Sequence, residues 1–505
     1  MLYDVAIVGY GPVGAVLANL LGQAGLSIIV FERDPGVHPL PRAVHFDGEV
    51  MRVFQAAGLA DSIAAVTRPS IKGMHFINGE GRTLMVRRGR EGIGPQGWTS
   101  NWYFHQPYLE EALRVGVKRF PNVEVRLRHE VFAIDEKSDH AVLRVENLAN
   151  GTLGESEARY VVGCDGARSL VRRLIGSTYE DLGLHQPWLV VDMLMKPESA
   201  RGNALPDYTI QHCDPARPMT ECYIGGESPR RRRWEIMLLP GDEPQSMLRP
   251  ERIWQVLSSR VAPDDAEIER AALYTFHSVV ARGWRRGRLM IAGDSAHQTP
   301  PFLGQGMCAG VRDAANLAWR LDMVLRGASD SLLDSYESER RPHVHAFIDL
   351  AVKLGAVIQE TDPVVAEKRD REFAGGEPKM FDFPQPQLGT GVFDRAPPPV
   401  GVVFPQPLLP DGRKLDEAIG NRFALIGEAA TIAQLASAAR ARLDVLGAAV
   451  IDRPGEEIEA WLAEQGAHAL ILRPDRYVLG IARNAEELAS LCSMLPVPAA
   501  ARKAA

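Results

Sequence analysis

The chain has 505 residues, 46% of them hydrophobic, and a formal net charge of −7, which makes it globular with core enough for two to four domains. The acidic balance and the lack of a long basic tract exclude nucleic acid or an anionic membrane as the main partner, and no segment is long and apolar enough to span a bilayer. Cys164, Cys213, Cys222, Cys308 and Cys492 are odd in number and lack CxxC spacing, which excludes a disulfide framework or a zinc site and predicts a reducing, cytoplasmic setting.

The first predicted element is an apolar strand from Val5 to Val8, followed by the turn Gly9-Tyr10-Gly11-Pro12-Val13-Gly14, a helical stretch and a second strand ending at Glu32. No signal peptide is predicted, because Asp4 stands where a basic segment would and the glycines interrupt the run. Strand, glycine turn, helix, strand and acid is the dinucleotide-binding pattern. Gly9, Gly11 and Gly14 let a pyrophosphate approach backbone N–H groups at a helix N-terminus, and Glu32 can accept from ribose hydroxyls. The same spacing recurs at Gly92, Gly94 and Gly97 without a preceding apolar strand, so that copy reads as a loop.

Alternating strands and helices over residues 1–60 give way to a predicted helix at 106–117 and short strands within 123–145. A strand at 160–164 ends in Asp165-Gly166, with a helix starting near Ser169. Residues 185–275 carry strand patterns at 188–193, 208–212, 221–224 and 234–239. Arg230, Arg231, Arg232 and Arg233 read as a solvated turn between strands. A buried strand at 289–292 leads to Gly293-Asp294, a loop with Pro300 and Pro301, and a helix at about 307–325 with Val311, Ala314, Ala315, Ala318 and Leu321 on one face. Residues 376–400 have linker composition, 401–495 read as a smaller α/β unit, and the last ten residues as a loose tail.

Three separated segments are together specific: Gly9-x-Gly11-x-x-Gly14 with Glu32, Cys164-Asp165-Gly166-Ala167-Arg168-Ser169 with Arg172, and Gly293-Asp294-Ser295-Ala296-His297 through Pro300-Pro301 to Gly304-Gln305-Gly306. In this order they resemble the three signatures of the FAD-dependent aromatic hydroxylases, the single-component flavoprotein monooxygenases. The resemblance covers nearly the whole chain, densely at these signatures and thinly across 185–275. It implies an α/β fold with a Rossmann-like FAD-binding domain built from 1–180 and 276–375 and a β-sheet-rich substrate domain inserted at 181–275. A linker at 376–400 and a C-terminal thioredoxin-like domain at 401–495 complete it. Without CxxC that last domain is expected to pack or to form a homodimer, not to exchange disulfides.

The resemblance further implies FAD as cofactor, held by Gly9, Gly11, Gly14, Glu32, Arg33, Arg42, Gln106, Asp165, Gly293, Asp294, Pro300, Gly304, Gln305, Gly306 and Met307. Asp294 would accept from a ribityl hydroxyl, and Asp165 would orient arginines such as Arg168 or Arg172 near phosphates. The turn at Gly304 to Gly306 would aim a helix N-terminus at the flavin, an effect of about 0.3–1 kcal/mol on an exposed anion and up to ~2 kcal/mol when partly buried. Pro301 and Phe302 would border the cavity where oxygen is transferred. No side-chain acid or base and no metal is assigned, and His297 reads as a packing or turn-bonded histidine.

In the implied reaction NADH or NADPH reduces FAD, O2 adds as a flavin C4a-hydroperoxide, and an electron-rich phenol attacks its distal oxygen. With no second nucleotide-binding unit in the sequence, the nicotinamide would visit the flavin face transiently. Segments 188–192 and 213–218 resemble the 3-(3-hydroxyphenyl)propionate hydroxylase branch and favour a phenol bearing a carboxylate, for which Arg217 and the arginines at 230–233 are candidates. The stretch from Leu472 to Tyr477 resembles the family without favouring a branch. A flavin-dependent oxidase or reductase without oxygen insertion, a hydroxylase of a different phenol, and a non-catalytic flavin-binding protein stay open.

Overall fold

A computed structural model describes residues 1–39, 41–224, 230–393 and 396–497; part of the expected linker (394–395) and most of the expected tail (498–505) lie outside it. Short runs of Val, Ile and Ala give strands buried on both faces, and these assemble in parallel. Leu2–Val8 sits between Ile28–Glu32 and Thr152–Gly163, with Val123–Leu127 and Leu289–Ile291 parallel on the two flanks. Helices Pro12–Gln23 and Gly306–Leu325 pack against each other over this sheet. The predicted apolar face of the second helix is buried there, with Val311, Ala314 and Leu321 at 0% exposure. Val8 pairs with Gly163 and Gly163 with Ile291. The turns that begin at Gly9, Asp165 and Gly293 therefore leave the same carboxyl edge of the sheet, where open α/β sheets take their ligands.

A second, nine-stranded sheet runs His297–Gln298, Ala266–Arg282, Thr178–Met195, Arg231–Met237, Met219–Tyr223, Thr209–Cys213, Met74–Asn78, Thr83–Arg87, Lys379–Phe381. It is larger than the insertion at 181–275 and takes an edge strand from the segment read as linker. Period-two alternation divides its residues. Leu189, Val191, Trp234 and Ile236 pack with Ile253 and Leu257 of the helix Pro250–Leu257 in one core. Val190, Asp192, Arg233 and Glu235 fall on the other face. The arginine run is thus a correction: Arg231–Met237 is a strand with Arg232 and Arg233 buried. Its partners, including Asp192 and the carbonyls of Pro41 and Arg42, are remote in sequence, so composition alone pointed to solvent.

The C-terminal unit has four strands in the order Ala449–Ile451, Ala424–Gly427, Ala469–Leu472, Val478–Ala482, the first pair parallel and the others antiparallel. Its turn after Leu472 plugs into the first unit. Arg473 pairs with Asp475 (2.6 Å) and with Glu339 (2.8 Å) on the helix Ser335–Ile358, and Arg320 bonds the same glutamate. Nearby, Asp416 is bidentate to Arg52 at 2.7 Å and 3.0 Å from Arg476. Among the described residues no helix is long and apolar enough to cross a membrane.

Candidate functional site

The carboxyl edge of the parallel sheet and the polar face of the nine-stranded sheet enclose a cavity of about 320 Å³. Gly11, Arg42, Gln106, Asp294, Pro301, Gly304, Gly306 and Met307 line one side; Val190, Gln211, Thr220, Arg233 and Glu235 line the other. Residues expected from sequence on separate turns therefore meet in one place.

Space explains the glycines. A Cβ at Gly14 would strike the Gly9 carbonyl, whereas one at Gly11 would meet nothing within 4 Å and would occupy the cavity beside the start of helix Pro12–Gln23. Gly293 has φ +65° and a Cβ there would lie 2.9 Å from Val13, so the turn before Asp294 requires glycine. Gly304, at φ +66°, closes the short helical turn Pro301–Leu303 and passes against His45. The helix Gly306–Leu325 then starts at the cavity, presenting first-turn N–H groups that have no partner within the helix.

Asp294 is half-buried and its carboxylate has no hydrogen bond among the described residues. Burial pushes its pKa above the usual carboxylate range, against the opposing pull of His297 and Arg42. Arg42 is exposed, and no hydrogen bond or ion pair holds its guanidinium among the described residues. Its backbone is fixed instead: Gln106 Oε1 accepts from the N–H groups of Arg42 and Ala43, both at 2.7 Å, and Gln106 Nε2 donates to Glu110 at 2.6 Å. Arg233 donates to the carbonyls of Pro41 and Arg42 at 2.7 Å while gripping Asp192 at 2.7 and 3.1 Å.

Other expected residues stand behind or away from the cavity. Glu32 ends its strand accepting from the N–H groups of Tyr10 (2.8 Å) and Asp34 (2.9 Å), which ties the first glycine turn to the second strand. Arg33 is 70% exposed and 3.8 Å from Glu130. Asp165 orients no arginine: it accepts from Ser169, Ser295 and the N–H groups of Leu170 and Val171, locking the second turn to the third. Arg172 instead donates to the carbonyls of Ser295 and Ala167, and Arg168 is exposed. Gln305 is buried between Asp47 (3.1 Å) and Arg312 (3.0 Å), so only its backbone belongs to the turn. Pro300 is buried at the start of the Pro301–Leu303 turn.

Pro301 lines the cavity but Phe302 does not, which corrects the expectation for that pair. Successive side chains of a tight helical turn point about 120° apart, and Phe302 packs against Trp188 and Phe276 in the core. His297 is buried and bonded to Asp313 at 2.6 Å, the carboxylate that also accepts from Gly293 N–H (3.1 Å) and Arg340 (2.8 Å). It supports the turn, as the sequence reading anticipated. Arg217 pairs with Asp242 and is not part of the lining.

Sequence reasoning missed Glu235, Gln211, Thr220 and His45. The first three lie on one face of adjacent strands. The alternation is legible in Trp234-Glu235-Ile236 once the segment is known to be buried, whereas the other two strands carry His212 and Glu221 on their far face and show no such pattern. His45 lines the cavity next to Gly304, and burial together with Arg87 lowers its pKa to about 4, leaving it neutral.

Comparison with known proteins agrees with this geometry. A family profile described as "FAD binding domain" matches residues 2–351. A probable NADH-specific resorcinol 4-hydroxylase of Rhodococcus jostii (strain RHA1) is 36% identical, covering 98% of this chain and 96% of that one. A 3-(3-hydroxy-phenyl)propionate/3-hydroxycinnamic acid hydroxylase of Burkholderia vietnamiensis (strain G4 / LMG 22486) is 34% identical, covering 94% and 93%. The crystal structure of aklavinone-11 hydroxylase with FAD and aklavinone superposes with a TM-score of 0.81 at 22% identity over 98% of this chain and 99% of that one, a likeness of fold. The chain belongs to this FAD-binding family, the FAD-dependent aromatic hydroxylases.

The residues present fit FAD. Open space over Gly11 at a helix N-terminus suits a pyrophosphate, the unbonded Asp294 carboxylate suits a ribityl hydroxyl, and the uncommitted Arg42 guanidinium suits a phosphate.

Proposed function

We propose that this chain is an NAD(P)H-consuming, FAD-dependent monooxygenase that hydroxylates a phenolic ring in aromatic catabolism. FAD supplies the redox chemistry with oxygen when bound; the chain's own residues bind, orient and exclude water. Gly11, Arg42 and Asp294 hold the cofactor, Glu32 and Asp165 brace the turns that shape its cradle, and Gly304 with the helix that follows carries its ring. Pro301 and Met307 close the dry side of the cavity, while the nine-stranded sheet supplies the substrate floor.

One observation carries the reading: three turns distant in sequence converge with a polar sheet face on a single cavity. The relatives named for resorcinol and for 3-(3-hydroxyphenyl)propionate point to a small phenol as substrate. We assign residues 1–180 and 276–375 to cofactor binding, 181–275 to the core of the substrate floor and 401–495 to a thioredoxin-like domain. Its parallel pair extended by an antiparallel hairpin supports that last assignment. Packing or homodimer formation is its role in this reading, not disulfide exchange, since its Cys492 is buried and the five cysteines are unpaired, as suits a reducing cytoplasm.

The test is direct. The purified protein should be yellow, oxidise NADH or NADPH faster when a phenol is added, and place an atom of isotopically labelled O2 in the product. Stimulated oxidation with no labelled product would replace this reading with an oxidase or reductase.

A further inference from the structure

Paired residues form a row across the cavity floor: Val190 opposite Glu235, Glu235 opposite Thr220, Thr220 opposite Gln211. All four line the cavity. The Glu235 side chain is only 8% exposed, its carboxylate makes no hydrogen bond among the described residues, and its ion pair with Arg233 is a loose 3.8 Å. Gln211 Oε1 accepts from Thr220 at 2.5 Å, but among the described residues Gln211 Nε2 reaches only the sulfur of Met74 at 3.6 Å, a weak acceptor. Buried polar groups are nearly always bonded, so an acceptor and a donor left short in the same row mark a place for a ligand group.

The groups facing Glu235 define what that ligand can be. They are Arg233 on its own strand, Cys222 on one side, and Asp192 and Arg270 on the other. Arg233 is spent on Asp192 and on two carbonyls, and Arg270 on Asp192, Pro41 and Tyr274. Among the described residues neither of these two arginines has a free fork for an incoming carboxylate, and the uncommitted Arg42 guanidinium of the same cavity is the one assigned above to a cofactor phosphate. Burial raises the Glu235 carboxyl to about 7, so it is ionised in mildly alkaline buffer, where a second anion would be repelled.

We propose that Glu235 and Gln211 recognise a hydroxyl group of an uncharged phenol, Glu235 accepting its hydrogen bond and Gln211 Nε2 donating to its oxygen, and that Glu235 turns away phenols bearing a carboxylate. This rests on the phenol-hydroxylase reading above and narrows its substrate to a ring with two hydroxyls, one at the sheet and one toward the flavin turn.

The FAD-loaded enzyme at pH 8 is titrated with resorcinol and with 3-(3-hydroxyphenyl)propionate, following the flavin absorbance, and labelled-oxygen incorporation is measured for each. Wild type should bind resorcinol at least about tenfold more tightly, the scale of one hydrogen bond to a charged group. Glu235→Gln should shrink that ratio to below about threefold at unchanged FAD content, and Gln211→Met should weaken resorcinol alone by about tenfold. Tighter binding of the acid by wild type, or an unchanged ratio in Glu235→Gln, overturns the proposal. Should Glu235→Gln fail to retain FAD, the wild-type ratio and Gln211→Met decide. Labelled product from the acid and none from resorcinol sinks this inference alone, whereas no labelled product from any phenol sinks the reading beneath it.

Discussion

Two regions of this molecule bury charge, and they treat it in opposite ways. At the dock between the C-terminal unit and the helices Gly306–Leu325 and Ser335–Ile358, every buried carboxylate is matched. Burial opposes ionisation of Glu339, but Arg320 and Arg473 outweigh it and hold its pKa at about 2, and Arg476 and Arg52 likewise depress Asp416. In the cavity the carboxylates of Asp294 and Glu235 have no hydrogen-bond donors among the described residues, and burial raises both. Full pairing belongs to a joint that is complete within the chain; incomplete pairing belongs to a place that awaits something else.

This contrast can be broken most severely at the dock. Arg473→Ala would leave Glu339 and Asp475 buried against too little positive charge, a loss of about 3–5 kcal/mol that denaturant unfolding should register. Acid attacks the same joint with a fixed sign. Because the folded Glu339 pKa lies below its unfolded value, the stabilisation is complete above pH 4.5 and disappears as pH falls toward 2. It amounts to about 3 kcal/mol, and an unfolding titration across that window should show the loss.

Cavity variants should do the reverse. Asp294→Ala removes an acceptor that none of the described residues uses, so stability of the FAD-free protein should hold or rise. FAD affinity should fall by about 10- to 100-fold, the worth of a hydrogen bond to a charged group. Equilibrium dialysis of FAD beside thermal unfolding separates the two quantities; a large stability loss with unchanged FAD affinity would make Asp294 part of the frame. Arg42→Ala should have the smallest effect, about 1 kcal/mol of FAD affinity that shrinks as salt is added, because an exposed guanidinium is screened.

Legibility in the sequence followed the same divide. The glycine turns, Asp294 and the strands that carry them were readable because backbone geometry and apolar runs are local properties. The floor was not. Glu235 and Gln211 acquire meaning only when four strands align them, and Arg233 looked solvent-bound because Asp192 and the Pro41 carbonyl are supplied from elsewhere in the chain. Phe302 and Gln305 sat in the right loop, yet side-chain direction within a tight turn is a matter of a fraction of a revolution that spacing does not record. Asp165 ends its strand as expected, but its partners are serines and N–H groups, not the arginines expected, and it stands behind the cavity.

The clamp of Arg233 on the Pro41 and Arg42 carbonyls joins the arm that carries Arg42 to the floor of the cavity. A laboratory evolution campaign aimed at new phenols would therefore meet two kinds of position in one strand. Changes at 233 should drag cofactor retention down with any gain in scope, while changes at 235, or at 211 and 220 beside it, should be free to vary without that penalty.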